Sequence, residues 1–169
     1  MFLDAAKAVA KDYPEIKMDN ANIDAMTMWL MKNPFNYDVL VAPNLYGDII
    51  SDLSAQMVGG LGFGCSANIG DKLAVFEPSH GSAPKYTGMY KVNPIATILA
   101  AKMMLDWLGE TAKAKLIEDA TAEVIAEGKV RTYDMGGSAT TIEMAKAIAD
   151  KAMPVPYQGA MPIRRPNAR

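Results

Sequence analysis

Asp48 and Asp52 stand four residues apart in a segment of helical spacing, which puts both carboxylates on one face. Like charges at that spacing repel by roughly 0.2–0.5 kcal/mol, and a divalent cation between them removes the conflict. A small set of hard oxygen donors, completed by water and substrate oxygens, suits Mg²⁺ or Mn²⁺. The same pair also reads as acids decorating a helix N-terminus, where the macrodipole favours negative charge. Asp24, on another segment with an apolar stripe, fits a surface or capping role as readily as a ligand role.

A second constellation lies in Glu77-Pro78-Ser79-His80-Gly81-Ser82-Ala83-Pro84-Lys85-Tyr86, which holds the only histidine of the chain. Small residues such as Gly81, Ser82 and Ala83 let backbone approach a ligand closely. Lys85 offers a point charge to a phosphate, His80 and Tyr86 offer flat faces to an adenine, and Asn93 offers both donor and acceptor to a base edge. The bland alternative is a solvated loop. No G-x-G-x-x-G follows a strand and no G-x-x-x-x-G-K-[ST] occurs, so neither the common dinucleotide fingerprint nor the P-loop applies. Cys65 has no neighbouring base in sequence and reads as a small packing residue.

These groups need elements to position them. Apolar residues at helical spacing predict a helix over 2–12, ending before Tyr13-Pro14, and a second from an Asn22 cap through Met31, stopped by Asn33-Pro34. Ile16-Lys17-Met18 is a short strand candidate, and residues 37–42 read as a buried strand delivering the chain to the acidic helix, Gly47 to Val58. The glycine-rich run Gly59-Gly60-Leu61-Gly62-Phe63-Gly64 then opens an irregular stretch and marks a candidate domain boundary. Leu73-Ala74-Val75-Phe76 is a further strand. Asn93-Pro94 starts a helix over 94–108 that is apolar nearly all round and therefore central. Another helix spans about 111–127 and stops at Gly128, and Thr140 with Glu143 forms a capping box for a last one through about Ala152. The tail 154–169 carries Pro154, Pro156, Gly159, Pro162 and Pro166 and is expected to be poorly ordered. Strands alternating with helices indicate an α/β fold.

The bulk properties exclude several functions. The chain has 169 residues, half of them hydrophobic, with 17 basic against 19 acidic side chains. The net charge of −2 gives no electrostatic case for nucleic acid or an anionic membrane. No segment reaches the roughly 18 apolar residues of a membrane span, and Met1-Phe2-Leu3-Asp4 is not the start of a signal peptide. A lone cysteine forms no internal disulfide, so the expected compartment is the reducing cytoplasm.

The order of motifs adds a resemblance. Asn44-Leu45-Tyr46-Gly47-Asp48-Ile49-Ile50-Ser51-Asp52 is similar to the N-x-x-G-D-x-x-S-D signature of the β-decarboxylating dehydrogenases, the isocitrate/isopropylmalate family. Gly59-Gly60-Leu61-Gly62, Ser66-Ala67-Asn68-Ile69-Gly70-Asp71, then Phe76 to Pro84 and Asn93-Pro94 follow in that family's order, over roughly residues 2–150. The resemblance is strongest to isocitrate dehydrogenases and covers the C-terminal half only. It implies an α/β fold with a mixed sheet flanked by helices. Residues 1–58 would be part of the smaller, dimer-forming domain and 59–153 part of the larger one. Asp48 and Asp52 would be metal ligands from one subunit, with Asp24 lent across a dimer interface. Glu77, His80, Gly81, Ser82, Ala83, Lys85, Tyr86, Asn93 and Tyr133 would line the cofactor, NADP or NAD.

The implied reaction is hydride transfer from a 2-hydroxy acid to the nicotinamide, then loss of carbon dioxide from the β-keto acid, with the metal stabilising the enolate. Lys85-Tyr86 followed by Lys91-Val92-Asn93-Pro94, together with Tyr133, resembles the NADP-dependent isocitrate enzymes, although Gly137 stands where that group carries an arginine. An exposed cation at Lys85 tilts the choice to NADP. Glu77-Pro78 and Gly81-Ser82-Ala83-Pro84 lean instead toward the isopropylmalate and homoisocitrate branches. The family's tyrosine acid and lysine base are expected upstream of Met1, so no catalytic residue beyond the metal ligands is assigned and the chain alone is expected to be inactive. The expected partners are a small-molecule hydroxy acid and a second copy, or a companion chain carrying the N-terminal half. A non-catalytic subunit of a hetero-oligomer is the rival in a different class.

Overall fold

A computed structural model describes residues 1–153; the tail 154–169, and the expectation of poor order made for it, lie outside the described residues. The chain divides into two compact units, Met1–Val58 and Gly59–Arg169.

The first unit is helical. Helix α1 (Phe2–Val9) runs into a 3-10 turn at Ala10–Asp12, so the predicted 2–12 segment is helical throughout, with a tighter last turn. Helix α2 (Ile23–Lys32) starts after Asn22 and stops at Asn33, where Pro34 cannot continue it. Asn22 has the extended backbone of a cap, but its side chain makes no capping bond. Helix α3 (Asn44–Met57) packs on α2, and the buried apolar residues of the unit are Met26, Leu30 and Ala55.

Two expectations fail in this unit. Residues 37–42 and 16–18 form no strand. Both runs have strand composition, but a strand exists only through hydrogen bonds to a neighbour, and the described residues supply neither run with one. Residues 38–42 are accordingly exposed rather than buried, Val39 at 81%, and Tyr37 is half-buried.

In the second unit, strands β1 (Cys65–Ile69) and β2 (Ala74–Pro78) pair antiparallel with Cys65 opposite Pro78 and Ile69 opposite Ala74. Strand β1 lies in the stretch expected to be irregular; its Cys-Ser-Ala-Asn-Ile sequence lacks the β-branched alternation that marks a strand. β2 extends two residues beyond the expected end and alternates inward and outward, with Phe76 facing in and meeting Trp107 at a ring separation of 6.2 Å. The chain is α/β, as expected; among the described residues its sheet is this one antiparallel pair, so the mixed character expected of it is not seen there.

Helix α4 (Ile95–Trp107) is central, as its all-round apolar sequence requires: it packs against both strands and against α5 (Thr111–Glu127). Helix α6 (Thr141–Ala152) closes on α5, and Ile95, Ala120, Val124, Met144 and Ile148 form the core between the three helices. Gly128 ends α5 in the left-handed conformation at φ 62°, which glycine adopts without steric cost. The capping box is formed: Thr140 Oγ1 accepts from the Glu143 N–H at 3.2 Å, and Glu143 Oε2 accepts from the Thr140 N–H at 2.7 Å. That backbone donor, then the Thr140 hydroxyl, holds the Glu143 carboxyl below its ordinary range.

Ion pairs tie the helices together. Lys102 of α4 reaches Glu118 of α5 at 2.8 Å and Asp106 at 2.9 Å, and Lys151 of α6 reaches Glu127 of α5 at 2.6 Å. Glu118 first, then Asp106, raises the Lys102 ammonium above the usual lysine range.

Met144 is fully buried, so Met144→Ala should cost about 2–5 kcal/mol in urea unfolding followed by far-ultraviolet circular dichroism. Thr140→Ala removes only a cap and should cost about 1 kcal/mol. A smaller loss for Met144→Ala than for Thr140→Ala would contradict this packing.

Candidate metal and cofactor sites

Helix α3 begins three residues before the expected Gly47, with Pro43 as its extended leading residue. The shift matters for Asp48 and Asp52. Asn44, Leu45 and Tyr46 occupy the first turn, which holds no acid, so the two aspartates fall in later turns. The macrodipole acts mainly within the first turn, so it does not account for two acids placed further along. Both carboxylates are exposed and one helical turn apart, and neither pairs with a lysine or arginine among the described residues. The donor set therefore fits a hard divalent cation: two uncompensated carboxylates on one face with room for water and substrate oxygens.

Asp24, in the first turn of α2, is exposed, and its Oδ1 accepts from the Ala25 N–H at 2.8 Å. Among the described residues no group of three or more His, Cys, Asp or Glu side chains converges, so Asp24 does not complete a cluster with Asp48 and Asp52 within the chain.

In the second unit, β2 leads directly into the loop. Glu77 is exposed on β2 and makes a long 3.5 Å contact with Asn68 Nδ2 of β1. His80 is half-buried, with Nδ1 2.8 Å from the Gly81 carbonyl oxygen. A carbonyl only accepts, so Nδ1 carries the proton and the neutral ring keeps Nε2 as an acceptor. Gly81 has open space around it: a Cβ there would meet nothing within 4 Å. Ser82 is exposed. Ala83 adopts φ 45°, a left-handed conformation unusual for a residue with a side chain, and launches the 3-10 turn Pro84–Tyr86.

That turn presents Lys85 and Tyr86 to a second segment, the 3-10 turn Tyr133–Met135. The Tyr86 and Tyr133 rings lie 5.6 Å apart at 53°. The Lys85 ammonium lies 4.8 Å from the Tyr86 ring centre, and the Lys91 ammonium lies 5.2 Å from Tyr86 and 4.7 Å from Tyr133. The Tyr133 hydroxyl, then Lys85, draws the Tyr86 phenol below its ordinary range, while Tyr86 holds Tyr133 above it. Lys85, Tyr86 and Tyr133 are thus brought together. Lys91 joins them; the sequence showed it only as part of the run Lys91-Val92-Asn93-Pro94, without a role of its own.

Asn93 differs from the expectation of a side chain open to a base edge. It is buried, its Oδ1 accepts from the Ile95 N–H at 3.0 Å, and its Nδ2 donates to Asp134 Oδ2 at 3.0 Å. One N–H of the amide remains for a ligand. Gly62 packs against this pair so closely that a Cβ would stand 2.7 Å from Asp134 Oδ2. Cys65 is a packing residue as read: its Sγ lies 3.3 Å from Met103 Sδ, and burial raises its thiol, offset in part by Lys102.

The isocitrate/isopropylmalate dehydrogenase family model matches residues 1–148, and the chain belongs to that family. It is 48% identical over 149 residues to a 3-isopropylmalate dehydrogenase of Archaeoglobus fulgidus, covering 88% of this chain and 45% of that one. It is 52% identical over 151 residues to the mitochondrial isocitrate dehydrogenase [NAD] catalytic subunit 5 of Arabidopsis thaliana, covering 89% of this chain and 40% of the relative. Among solved structures it is similar to isocitrate dehydrogenase from Methylococcus capsulatus, with a TM-score of 0.86 at 43% identity, over 89% of this chain and 45% of that one. The chain spans less than half the length of the curated relatives it matches.

In a pH titration followed by the ring resonances, Tyr86 should ionise below the other tyrosines, and Tyr133→Phe should move its midpoint upward. A midpoint that ignores Tyr133→Phe would show that the two hydroxyls do not interact.

Proposed function

We propose that the chain is the cation- and cofactor-binding portion of an NAD(P)-dependent β-decarboxylating dehydrogenase that oxidises isocitrate to 2-oxoglutarate. The family match running unbroken through both the α3 acids and the loop after β2 carries this reading. In it, residues 1–58 belong to the smaller, dimer-forming domain and 59–153 to the larger, cofactor-binding one.

Asp48 and Asp52 hold Mg²⁺ or Mn²⁺, with Asp24 contributed from a second copy. The cation, when bound, supplies Lewis acidity toward the oxygen on the carbon being oxidised and toward the enolate left by decarboxylation. The chain's own residues bind and orient. Gly81, Ser82 and Ala83 let the loop backbone approach the adenosine, and His80 offers it a ring face and the Nε2 acceptor. Lys85, Tyr86 and Tyr133 receive its phosphate-bearing end, Asn93 fixes the loop's exit, and Glu77 lies toward the ribose or nicotinamide. Two lysine ammonium groups beside the tyrosine pair support NADP over NAD.

A second substrate assignment, isopropylmalate or homoisocitrate, has support from the 48% identity to an isopropylmalate enzyme, close to that of the isocitrate relative. The rival in another class, a non-catalytic subunit, is disfavoured by the two unpaired acids on α3, which such a subunit has no need to keep.

The first unit also needs a partner. Phe35 is 98% exposed, and Leu45 and Ile49 of α3 are uncovered as well. Apolar surface on this scale supports a homodimer or a companion chain. No described helix is long and apolar enough to cross a membrane, and the unpaired Cys65 thiol supports a reducing compartment such as the cytoplasm.

Electron paramagnetic resonance of Mn²⁺ titrated into the full chain tests the site without requiring activity. Binding should be detectable, and Asp48→Asn and Asp52→Asn should each weaken it by about tenfold or more, on the scale of lost metal-site groups. Mn²⁺ binding indifferent to both substitutions would remove the site and leave the non-catalytic reading standing. Reduced-nicotinamide absorbance with isocitrate or isopropylmalate should show negligible turnover by this chain alone. Specific turnover with one substrate and cofactor pair would settle both and overturn the view that the proton-transfer groups lie outside it.

A further inference from the structure

The segment leaving α5 and the segment entering α6 run side by side. The Gly137 N–H donates to the Thr132 carbonyl at 3.0 Å, and the Ala139 N–H donates to the Arg131 carbonyl at 2.9 Å. Donors two residues apart on one arm face the same neighbour, which leaves the Ser138 N–H between them turned outward. The arms lie so close that a Cβ at Gly137 would stand 2.6 Å from the Arg131 Cβ. Glycine is therefore required there, and the arginine stem starts beside bare backbone.

A groove of about 500 Å³ lies against these arms, within the size range of small-molecule sites. Lys129, Arg131, Ser138 and Glu143 supply its polar side chains, and Val130 and Ala139 supply apolar lining. None of Lys85, Tyr86, Lys91 or Tyr133 lines it, so it is separate from the loop after β2.

Its charges are unequally engaged. Arg131 is exposed and forms no ion pair among the described residues. Lys129 has a loose contact with Glu127 at 3.4 Å, and Glu127 is held more closely by Lys151 at 2.6 Å. Glu143 is committed to the helix cap: its Oε2 accepts from the Thr140 N–H at 2.7 Å and from the Thr140 hydroxyl at 2.9 Å. Two cations against one engaged carboxylate leave the groove positive. A guanidinium fork, an ammonium, the Ser138 hydroxyl and an outward backbone N–H form a donor set suited to oxygen anions.

We propose that this groove binds a small molecule through a phosphate or carboxylate group, with Arg131 as the bidentate anchor. Lys129 adds charge, and Ser138 adds its hydroxyl and N–H. A bare anion fills only part of the volume, and the rest of the ligand lies against Val130 and Ala139. The site is independent of the cofactor reading and stands or falls without it.

The test is a nuclear magnetic resonance titration of the ¹⁵N-labelled full chain with inorganic phosphate and, separately, with succinate, at constant ionic strength. The Arg131, Gly137 and Ser138 amides should shift saturably with at least one of them. The dissociation constant should be on the order of 1 mM, an affinity that two or three charge-assisted hydrogen bonds supply. The tighter of the two probes names the anionic group. Arg131→Gln should weaken binding by about tenfold, a loss on the scale of one charged contact. Arg131→Lys keeps the charge without the fork and should weaken it less; Lys129→Gln gives a second readout should the arginine variants unfold. Shifts that survive both Arg131→Gln and Lys129→Gln would overturn the proposal. So would shifts abolished by Lys85→Gln, which would put the anion at the loop after β2, and so would the absence of any saturable shift with either probe.

Discussion

The second unit is organised around one buried amide. Asn93 ties the start of α4 to the Tyr133 turn: its Oδ1 accepts from the Ile95 N–H and its Nδ2 donates to Asp134. Asp134 is held in addition by Thr132, a fully buried hydroxyl. Gly62 must be glycine because this pair fills the space a Cβ would take, and its carbonyl accepts from the Ala96 N–H at 2.9 Å. Three segments distant in sequence are thus locked at one point. The geometry of the lysine and tyrosine cluster follows, since Lys91 and Tyr133 hang from two of those segments. A polar group buried without such partners costs on the order of 1–3 kcal/mol. Here the cost is offset, and the result is a defined direction for the loop.

Charge satisfaction separates scaffold from candidate site. On α4, α5 and α6 several long cations have found carboxylates within about one helical turn or on the facing helix. Asp48, Asp52, Lys85 and Lys91 have not. Each pair is of like sign, each is drawn together by backbone rather than by its own attraction, and each would be relieved by a ligand of the opposite sign. The two sites thus follow one electrostatic logic with the signs reversed.

Much of this was legible in the sequence. The helices were readable because apolar periodicity and punctuation agree: Gly128 ends α5, Thr140 and Glu143 open α6, and the apolar wrap of α4 announces its central place. The strands were less so. Residues 37–42 have the composition of a buried strand, but composition cannot supply the hydrogen-bonding neighbour that makes one; β1, with Ser66 and Asn68, has a neighbour without the composition. At the candidate sites, the four-residue spacing of the aspartates was visible, whereas their position relative to the helix start depended on Pro43 rather than on the glycine that drew attention. Lys91 was visible only as a member of the run Lys91-Val92-Asn93-Pro94, because its neighbours are aromatic rings reached through space. Nothing in Tyr-Lys-Val-Asn declares that Tyr133, more than forty residues away, lies beneath that ammonium. The left-handed turn at Ala83 was equally silent, since alanine is not a residue that advertises positive φ.

The uneven distribution of buried residues bears on what the word stability can mean for this chain. One unit gathers a three-helix core around Ile95 and Met144; the other buries Met26, Leu30 and Ala55. Cooperative unfolding is a property of single domains that share one core, and each unit here has a core of its own. Amide exchange in α2 and α3 would then report shallow local openings, while amides of α4 to α6 report the deepest ones. A single melting temperature would average two different quantities, and the unit carrying the acidic helix would owe most of its order to whatever covers it.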